Sequence, residues 1–86
     1  MHIARTERFK RAYKKLRPQD QERARKAIEL LLADMRYPSL QAKRIQGTAK
    51  VWEARVSLGT RMTFELAGDT IILRNIGEHD PTLKNP

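Results

Sequence analysis

The stretch VWEARVSLGTRMTFELAGDTIILRNIGEHD, residues 51–80, decides the fold class of this chain of 86 residues. Its apolar and polar side chains alternate, which is typical of strands with one buried face. Gly59 interrupts the first alternating run, and Gly68–Asp69 is typical of a hairpin turn. The last run, TIILRNIG, is apolar on both faces except for Arg74 and Asn75, as in a central strand. We therefore predict three consecutive strands that pair with one another.

The alternation also assigns the side chains to two faces of the sheet. We expect one face to be buried, and it holds Trp52, Ala54, Val56, Met62, Phe64, Leu66, Ile71 and Leu73. The opposite face, called the open face below, holds Glu53, Arg55, Arg61, Thr63, Glu65, Ile72 and Arg74. Its three arginines predict a cationic cluster that binds an anion. The alternative is that Arg55 and Arg61 pair with Glu53 and Glu65 across strands, at about 1 kcal/mol or less per pair, and both interpretations can hold at once.

The first 46 residues predict two helices that cover the apolar face. Residues 2–4, HIA, predict a short opening strand, and Thr6 is suited to cap a first helix. Pro18 separates this helix from a second one, which we expect to end at Pro38. Two helices with a short connection form an antiparallel hairpin. The basic outer faces of these helices are either solvated surface or a contact for nucleic acid.

Composition and charge restrict the class of partner. Residues 1–86 are predicted to form one domain, and the chain contains no cysteine, no apolar run of membrane-spanning length and no apolar core of a signal peptide. We therefore expect a cytoplasmic protein without a membrane partner. Its net charge of +8 favours a polyanion such as RNA, DNA or an acidic protein, or else reflects a solvated basic surface.

The segment NIGEHDPTLKNP, residues 75–86, raises the question of what His79 does. A histidine directly after a buried strand is a catalytic base, a metal ligand or a turn residue. The only other histidine is His2, and there is no cysteine, so the chain offers too few ligands for a metal phosphohydrolase. We predict no metal and no cofactor.

Four segments in this order and spacing resemble the RelE/ParE superfamily of bacterial toxins. They are PSLQAKRIQGT at 38–48, WEAR at 52–55, GTR at 59–61 and IGEHD at 76–80. The resemblance extends from about Thr6 to Leu83. It implies an α+β fold in which a short N-terminal strand and three later strands form one curved, mainly antiparallel four-stranded sheet. The helical hairpin packs on one face of this sheet, and the other face is the working surface.

The resemblance also implies a function. Members similar to RelE and YafQ cut messenger RNA in the ribosomal A site without a metal, whereas members similar to ParE inhibit DNA gyrase, and a partner antitoxin holds both kinds inactive. We predict a ribosome-dependent, metal-independent mRNA endoribonuclease whose partners are a cognate antitoxin, the ribosome and mRNA. The alternative is a ParE-like gyrase inhibitor without catalysis. A third possibility is a basic nucleic-acid-binding module without toxicity.

The resemblance assigns roles to individual residues. Arg61 matches the nucleases' arginine after the turn, and His79 matches their C-terminal catalytic residue. Arg55 lies on the same face and completes the predicted catalytic set, with Asp80 to orient His79. The residues predicted to bind RNA phosphates are Arg74, Lys84, Lys50, Lys43 and Arg44. The C-terminal tyrosine of RelE-like members and the middle-strand histidine pair of YafQ-like members are missing, which leaves few groups for acid–base catalysis. Trp52 is predicted to lie in the core.

Overall fold

The computed structural model describes residues 1–86 and shows three helices against a five-stranded sheet. The α+β fold predicted from the sequence is confirmed. In chain order the elements are β1 (His2–Arg5), α1 (Glu7–Lys14), α2 (Pro18–Ala33), a 3-10 turn (Pro38–Leu40), β2 (Lys43–Arg44), β3 (Trp52–Arg55), β4 (Thr60–Ala67), β5 (Thr70–Glu78) and α3 (His79–Lys84).

The strands lie in the order β1-β5-β4-β3-β2. β1 pairs with β5 in parallel, and every other pair is antiparallel. The strand that the prediction missed is β2, in which only Lys43 and Arg44 pair with β3. Two residues are too few to show an alternating pattern. The sheet therefore has five strands rather than four, and β5 is an interior strand as predicted.

Thr6 fixes the start of α1 against the sheet. Its Oγ1 accepts a hydrogen bond from the backbone N–H of Phe9 at 3.1 Å, which caps the helix. The same hydroxyl lies 3.1 Å from the carbonyl oxygens of Leu73 and Arg74 in β5, to which it donates. This arrangement anchors α1 beside the end of β5 that β1 does not cover.

The second helix buries one stripe of side chains. Pro18 occupies its first turn, where the missing N–H costs nothing. The helix ends at Ala33, earlier than the predicted end at Pro38, which instead begins the 3-10 turn. The residues buried by α2 are Asp20, Ala24, Ala27 and Leu31, at helical spacing. None of the three helices is both long and apolar enough to cross a membrane.

The core lies between the helices and the predicted apolar face of the sheet. Its buried residues are Phe9, Ala24, Ala27, Leu31, Leu40, Ala54, Met62, Phe64, Ile71, Leu73 and Ile76. Trp52 and Val56 are partly buried against this cluster, and the Trp52 ring stacks on Phe64 with centroids 6.2 Å apart. The prediction was wrong for Leu66, which is 38% exposed near the end of β4, and it omitted Ile76, which is 3% exposed.

A β-bulge in β5 explains the omission of Ile76. Thr63 pairs with Asn75, but the next residue, Phe64, pairs with Leu73, so Arg74 is an extra residue in β5. Simple alternation from Leu73 would place Asn75 in the core. The bulge instead places Arg74 and Asn75 together on the open face and returns Ile76 to the core.

Candidate active site

Arg55 and Arg61 lie directly opposite each other on β3 and β4. Like charges in this arrangement destabilise a sheet unless they are compensated. Neither guanidinium forms an ion pair with a carboxylate within the protein. The pair is therefore an uncompensated cationic site on the open face, and it contains two of the three arginines of the predicted cluster.

The loop between β3 and β4 holds the Arg61 side chain in place. Its Nη1 donates to the carbonyl oxygens of Ser57 at 2.8 Å, Thr60 at 3.1 Å and Leu58 at 3.3 Å. Its Nε and Nη2 donate no hydrogen bond within the protein. A guanidinium that is fixed through one nitrogen keeps the others for an external anion, so little ordering is required when that anion binds.

Arg74 behaves differently from the other two arginines. Its Nη1 lies 2.6 Å from Glu65 Oε2 in an ion pair, and its Nε donates to the Pro86 carbonyl oxygen at 3.3 Å. The cross-strand pairing considered for Arg55 and Arg61 is thus wrong for both of them, because Glu65 pairs with Arg74 instead. Arg74 shares the open face as predicted, but its charge is compensated.

His79 is the first residue of α3 rather than part of a loop. Its backbone N–H donates to the Gly59 carbonyl oxygen at 2.9 Å, which joins α3 to the loop that holds Arg61. The ring Nδ1 lies 2.7 Å from Asp80 Oδ1. With its proton on Nδ1, the ring donates to Asp80 and leaves Nε2 to exchange a proton with a ligand.

The same contact influences Asp80. The hydrogen bond from His79 lowers the pKa of the Asp80 carboxyl below its ordinary value, and the charges of His79 and Lys84 act in the same direction. His79 and Asp80 both remain accessible, with 48% and 83% of their side chains exposed. The two adjacent side chains therefore form a surface pair in which the carboxylate orients the ring.

α3 lies across part of the open face. Its Thr82 is buried, and a Cβ built at Gly77 would lie only 2.9 Å from Thr82 Oγ1. Beyond the helix, the Asn85 carbonyl oxygen accepts from Arg8 and, at 3.1 Å, from the Asn75 amide. The Pro86 carbonyl oxygen accepts from Thr63 at 2.9 Å. This C-terminal segment covers much of β4 and β5, and the sequence analysis had not predicted it to be helical.

The other residues predicted to bind phosphate do not all lie on one surface. Lys43 pairs with Glu53 and so lies on the open face, where it is exposed. Arg44 pairs with Trp52, on the opposite face, and donates to the Ala49 carbonyl oxygen. Lys50 is exposed in the connection to β3, and Lys84 is exposed in the last turn of α3. The structure thus brings Lys43, but not Arg44, to the face of Arg55 and Arg61.

The two histidines lie at opposite ends of the sheet. His2 pairs with Thr70 at the start of β5, whereas His79 follows the end of that strand. His2 Nε2 lies 3.6 Å from Asp69 Oδ2. No group of three or more His, Cys, Asp or Glu side chains is arranged to hold a metal ion.

The sequence analysis did not single out a basic cleft beside the open face. It lies between α1, the start of α2 and the end of β5, and its basic lining residues are Arg8, Arg11, Lys15 and Arg17. Asp20 lies within 3.1 Å of Arg17 and 3.3 Å of Arg23 and compensates part of this charge. The spacing of Arg8, Arg11 and Lys15 by three and four residues was the signal that these cations share one side of α1.

The chain matches no protein-family model and no curated protein. Its structure is similar to that of YafQ from E. coli strain BL21(DE3), with a TM-score of 0.79, 14% identity, and coverage of 92% of this chain and 93% of YafQ. It is also similar to the YoeB/ParE toxin from Agrobacterium tumefaciens, with a TM-score of 0.78, 14% identity, and coverage of 92% and 99%. A third similar structure is a chain of the intact E. coli RelBE toxin–antitoxin complex, with a TM-score of 0.73, 16% identity, and coverage of 92% of this chain and 96% of that chain.

These similarities define the class of fold. The chain has the α+β fold of the RelE, YafQ and YoeB/ParE toxins over about nine-tenths of its length. The resemblance inferred from the sequence is thus confirmed at the level of fold. Identities of 14–16% leave the activity to be argued from the site itself.

Proposed function

We propose that this protein is a toxin of the RelE/ParE superfamily and acts as a ribosome-dependent, metal-independent endoribonuclease on mRNA. The observation that carries the proposal is the uncompensated pair of Arg55 and Arg61, adjacent to a strand that leads into His79. Arg61 pairs with Gly77, two residues before His79. A phosphate group bound by these arginines would meet the imidazole at this end of the open face, on the fold of toxins named RelE and YafQ.

The residues fit a reaction in which a ribose 2′-hydroxyl attacks its own 3′ phosphate. The phosphorane that forms carries additional negative charge, which Arg61 stabilises through Nε and Nη2, with Arg55 beside it. The Nε2 of His79 exchanges a proton with one of the two ribose oxygens, while Asp80 holds the ring through Nδ1. Lys43 and Lys84 are exposed and extend the cationic surface for neighbouring phosphates.

An antitoxin is the partner that this surface favours. The chain carries a net charge of +8, and its open face presents arginines without internal carboxylate partners. Solved structures with this fold include RelB–RelE antitoxin–toxin complexes, one of them from Methanococcus jannaschii. We expect an acidic segment of a cognate antitoxin to cover the Arg55–Arg61 pair and so to compete with RNA.

One observation favours a second candidate, a ParE-like inhibitor of DNA gyrase. The Agrobacterium tumefaciens neighbour is named a YoeB/ParE toxin, so this fold occurs under both names. In this case the cationic face would bind its target without catalysis, and His79 would have no chemical role. The two candidates therefore differ in whether RNA is cut.

Primer extension on cellular messages after induction of the protein tests the proposal. We expect new 5′ ends in phase with codons, which are absent after induction of His79→Ala at the same protein level. Double-strand DNA breaks without RNA cuts would contradict the proposal and indicate gyrase inhibition. The absence of both RNA cuts and DNA breaks would indicate a basic binding module without toxicity.

A further inference from the structure

Glu53 is a buried carboxylate on the open face that has no partner in the protein. Its residue surface is 9% exposed, and it lies between Lys43 of β2 and Thr63 of β4 in the strand register. It takes part in no ion pair. The glutamate of this face that does form one is Glu65, which pairs with Arg74. No fully buried side-chain oxygen or nitrogen lacks a hydrogen bond, so the unpartnered oxygens of Glu53 still reach solvent. The carboxylate is therefore recessed in the sheet but open to a ligand.

The position of Glu53 relative to the arginines is suited to a nucleotide. Arg55 follows two residues later on the same strand and face, about 7 Å away along the strand. Arg61 is its diagonal neighbour across β3 and β4, at about 7–8 Å. Neither arginine forms an ion pair with Glu53. The spacing is suited to one nucleotide, whose phosphate contacts the arginines while its ribose lies over Glu53.

A carboxylate held in such a recess without a partner needs a reason. Burying a charge is unfavourable unless it is paired or hydrogen-bonded, and Glu53 forms neither an ion pair nor a side-chain hydrogen bond, although Lys43 lies opposite it. A hydroxyl donor from outside would satisfy it. The proposed reaction requires such a donor, because the 2′-hydroxyl must lose its proton to attack phosphorus. The C-terminal tyrosine of RelE-like members and the middle-strand histidine pair of YafQ-like members are missing from the chain, which leaves few other groups for this step.

We propose that Glu53 is the catalytic base of the cleavage reaction, an inference that rests on the proposed function. The Glu53 carboxylate takes the proton from the 2′-hydroxyl as the 2′ oxygen forms its bond to phosphorus. The bond between phosphorus and the 5′ oxygen breaks, and that oxygen takes a proton from the protonated His79 ring. The products are a 2′,3′-cyclic phosphate and a 5′-hydroxyl, and both side chains return to their starting states by proton exchange with water.

A purely electrostatic role for Glu53 makes different predictions. If the carboxylate only moderates the charge of Arg55 and Arg61, its removal changes stability and RNA affinity. It leaves the cleavage rate of the bound complex unchanged. If Glu53 is the base, Glu53→Gln lowers that rate, although glutamine has nearly the same shape and can still accept a hydrogen bond.

Single-turnover cleavage on programmed ribosomes with two chemically synthesised messages separates these roles. One message carries the natural linkage, and the other has sulfur in place of the bridging 5′ oxygen at the scissile position. A thiolate leaves without a proton, so the second message removes the need for an acid but not for a base. We expect Glu53→Gln to lose about 10²–10⁴-fold in rate on both messages. His79→Ala should lose a similar factor on the natural message and recover on the sulfur message.

Three outcomes would overturn the assignment. The first is cleavage of the natural message by Glu53→Gln at the wild-type rate, and the second is recovery of this variant on the sulfur message. The third is wild-type activity of Glu53→Asp. This variant keeps the charge and replaces Glu53→Gln as the test if the glutamine variant does not fold. Its carboxylate is withdrawn by one methylene, so we expect a loss of about 10–100-fold at an unchanged melting temperature, and wild-type activity would refute the role. If the wild-type protein cuts neither message, the proposed function itself fails and the base assignment falls with it.

Discussion

Gly77→Ala tests the packing that positions His79. A Cβ at this residue would lie 2.9 Å from Thr82 Oγ1, a buried atom of α3. The helix must then shift or Thr82 must rotate in a confined space. Because α3 begins at His79, a shift of the helix also moves the imidazole relative to Arg61. We expect both lower stability and slower cleavage.

The magnitude follows from two opposing effects. Overpacking of this kind costs about 1–3 kcal/mol, whereas replacing glycine stabilises by about 0.4–1 kcal/mol through the unfolded chain. The midpoints of these ranges give a net loss of about 1.3 kcal/mol, which lowers the melting temperature by about 5–10 °C in a domain of this size. Differential scanning calorimetry measures the shift, and single-turnover cleavage measures the effect on His79.

The chain offers a matched control and a matched rescue. A Cβ at Gly59 meets no heavy atom within 4 Å, so Gly59→Ala should leave the melting temperature unchanged or slightly raised. Thr82→Ala removes the opposing atom, and the Gly77→Ala/Thr82→Ala protein should recover part of the loss, since the two residues are in contact. A Gly77→Ala protein with the wild-type melting temperature and cleavage rate would refute the contact and the argument built on it.

The remaining predictions concern the core, the site and the RNA surface. Ile76→Ala should destabilise by about 2–5 kcal/mol in chemical denaturation, whereas Leu66→Ala should cost well under half as much, and equal losses would contradict the bulge. His79→Ala should keep the wild-type melting temperature and antitoxin binding but lose about 10²–10⁴-fold in single-turnover rate, and an unchanged rate would make the histidine structural. RNA affinity, measured by filter binding, should fall steeply between about 50 and 200 mM salt, and a flat response would contradict a phosphate-binding face.

The sequence was sufficient for the main architecture because its signals are local and repeated. Alternation over residues 51–80 and the turn at Gly68–Asp69 predicted β3, β4 and β5, and the proline at 18 separated the two helices. The sequence pattern does not predict β2 or α3. A strand of two residues has no periodicity, and a helix of six residues is marginal without tertiary packing, which Thr82 supplies here against Gly77.

The site was predicted in part for the same reason. Alternation placed Arg55 and Arg61 on one face, and the register now shows them directly opposite each other. It did not indicate that Glu65 would pair with Arg74, because that contact depends on where the bulge falls. It considered Glu53 only as a possible ion-pair partner and did not predict its burial, because that burial depends on the neighbouring strands and not on the residue's own pattern.

The ends of the cleaved RNA test the central claim most directly. Programmed ribosomes are incubated with the protein in EDTA, under conditions that keep the ribosomes intact, and both product ends are identified by mass spectrometry. The account predicts cleavage that leaves a 2′,3′-cyclic phosphate or 3′ phosphate upstream and a 5′-hydroxyl downstream, because the attacking group is the ribose 2′-hydroxyl. A 3′-hydroxyl upstream would show that water attacks instead and would contradict the roles proposed for Arg61, His79 and Glu53.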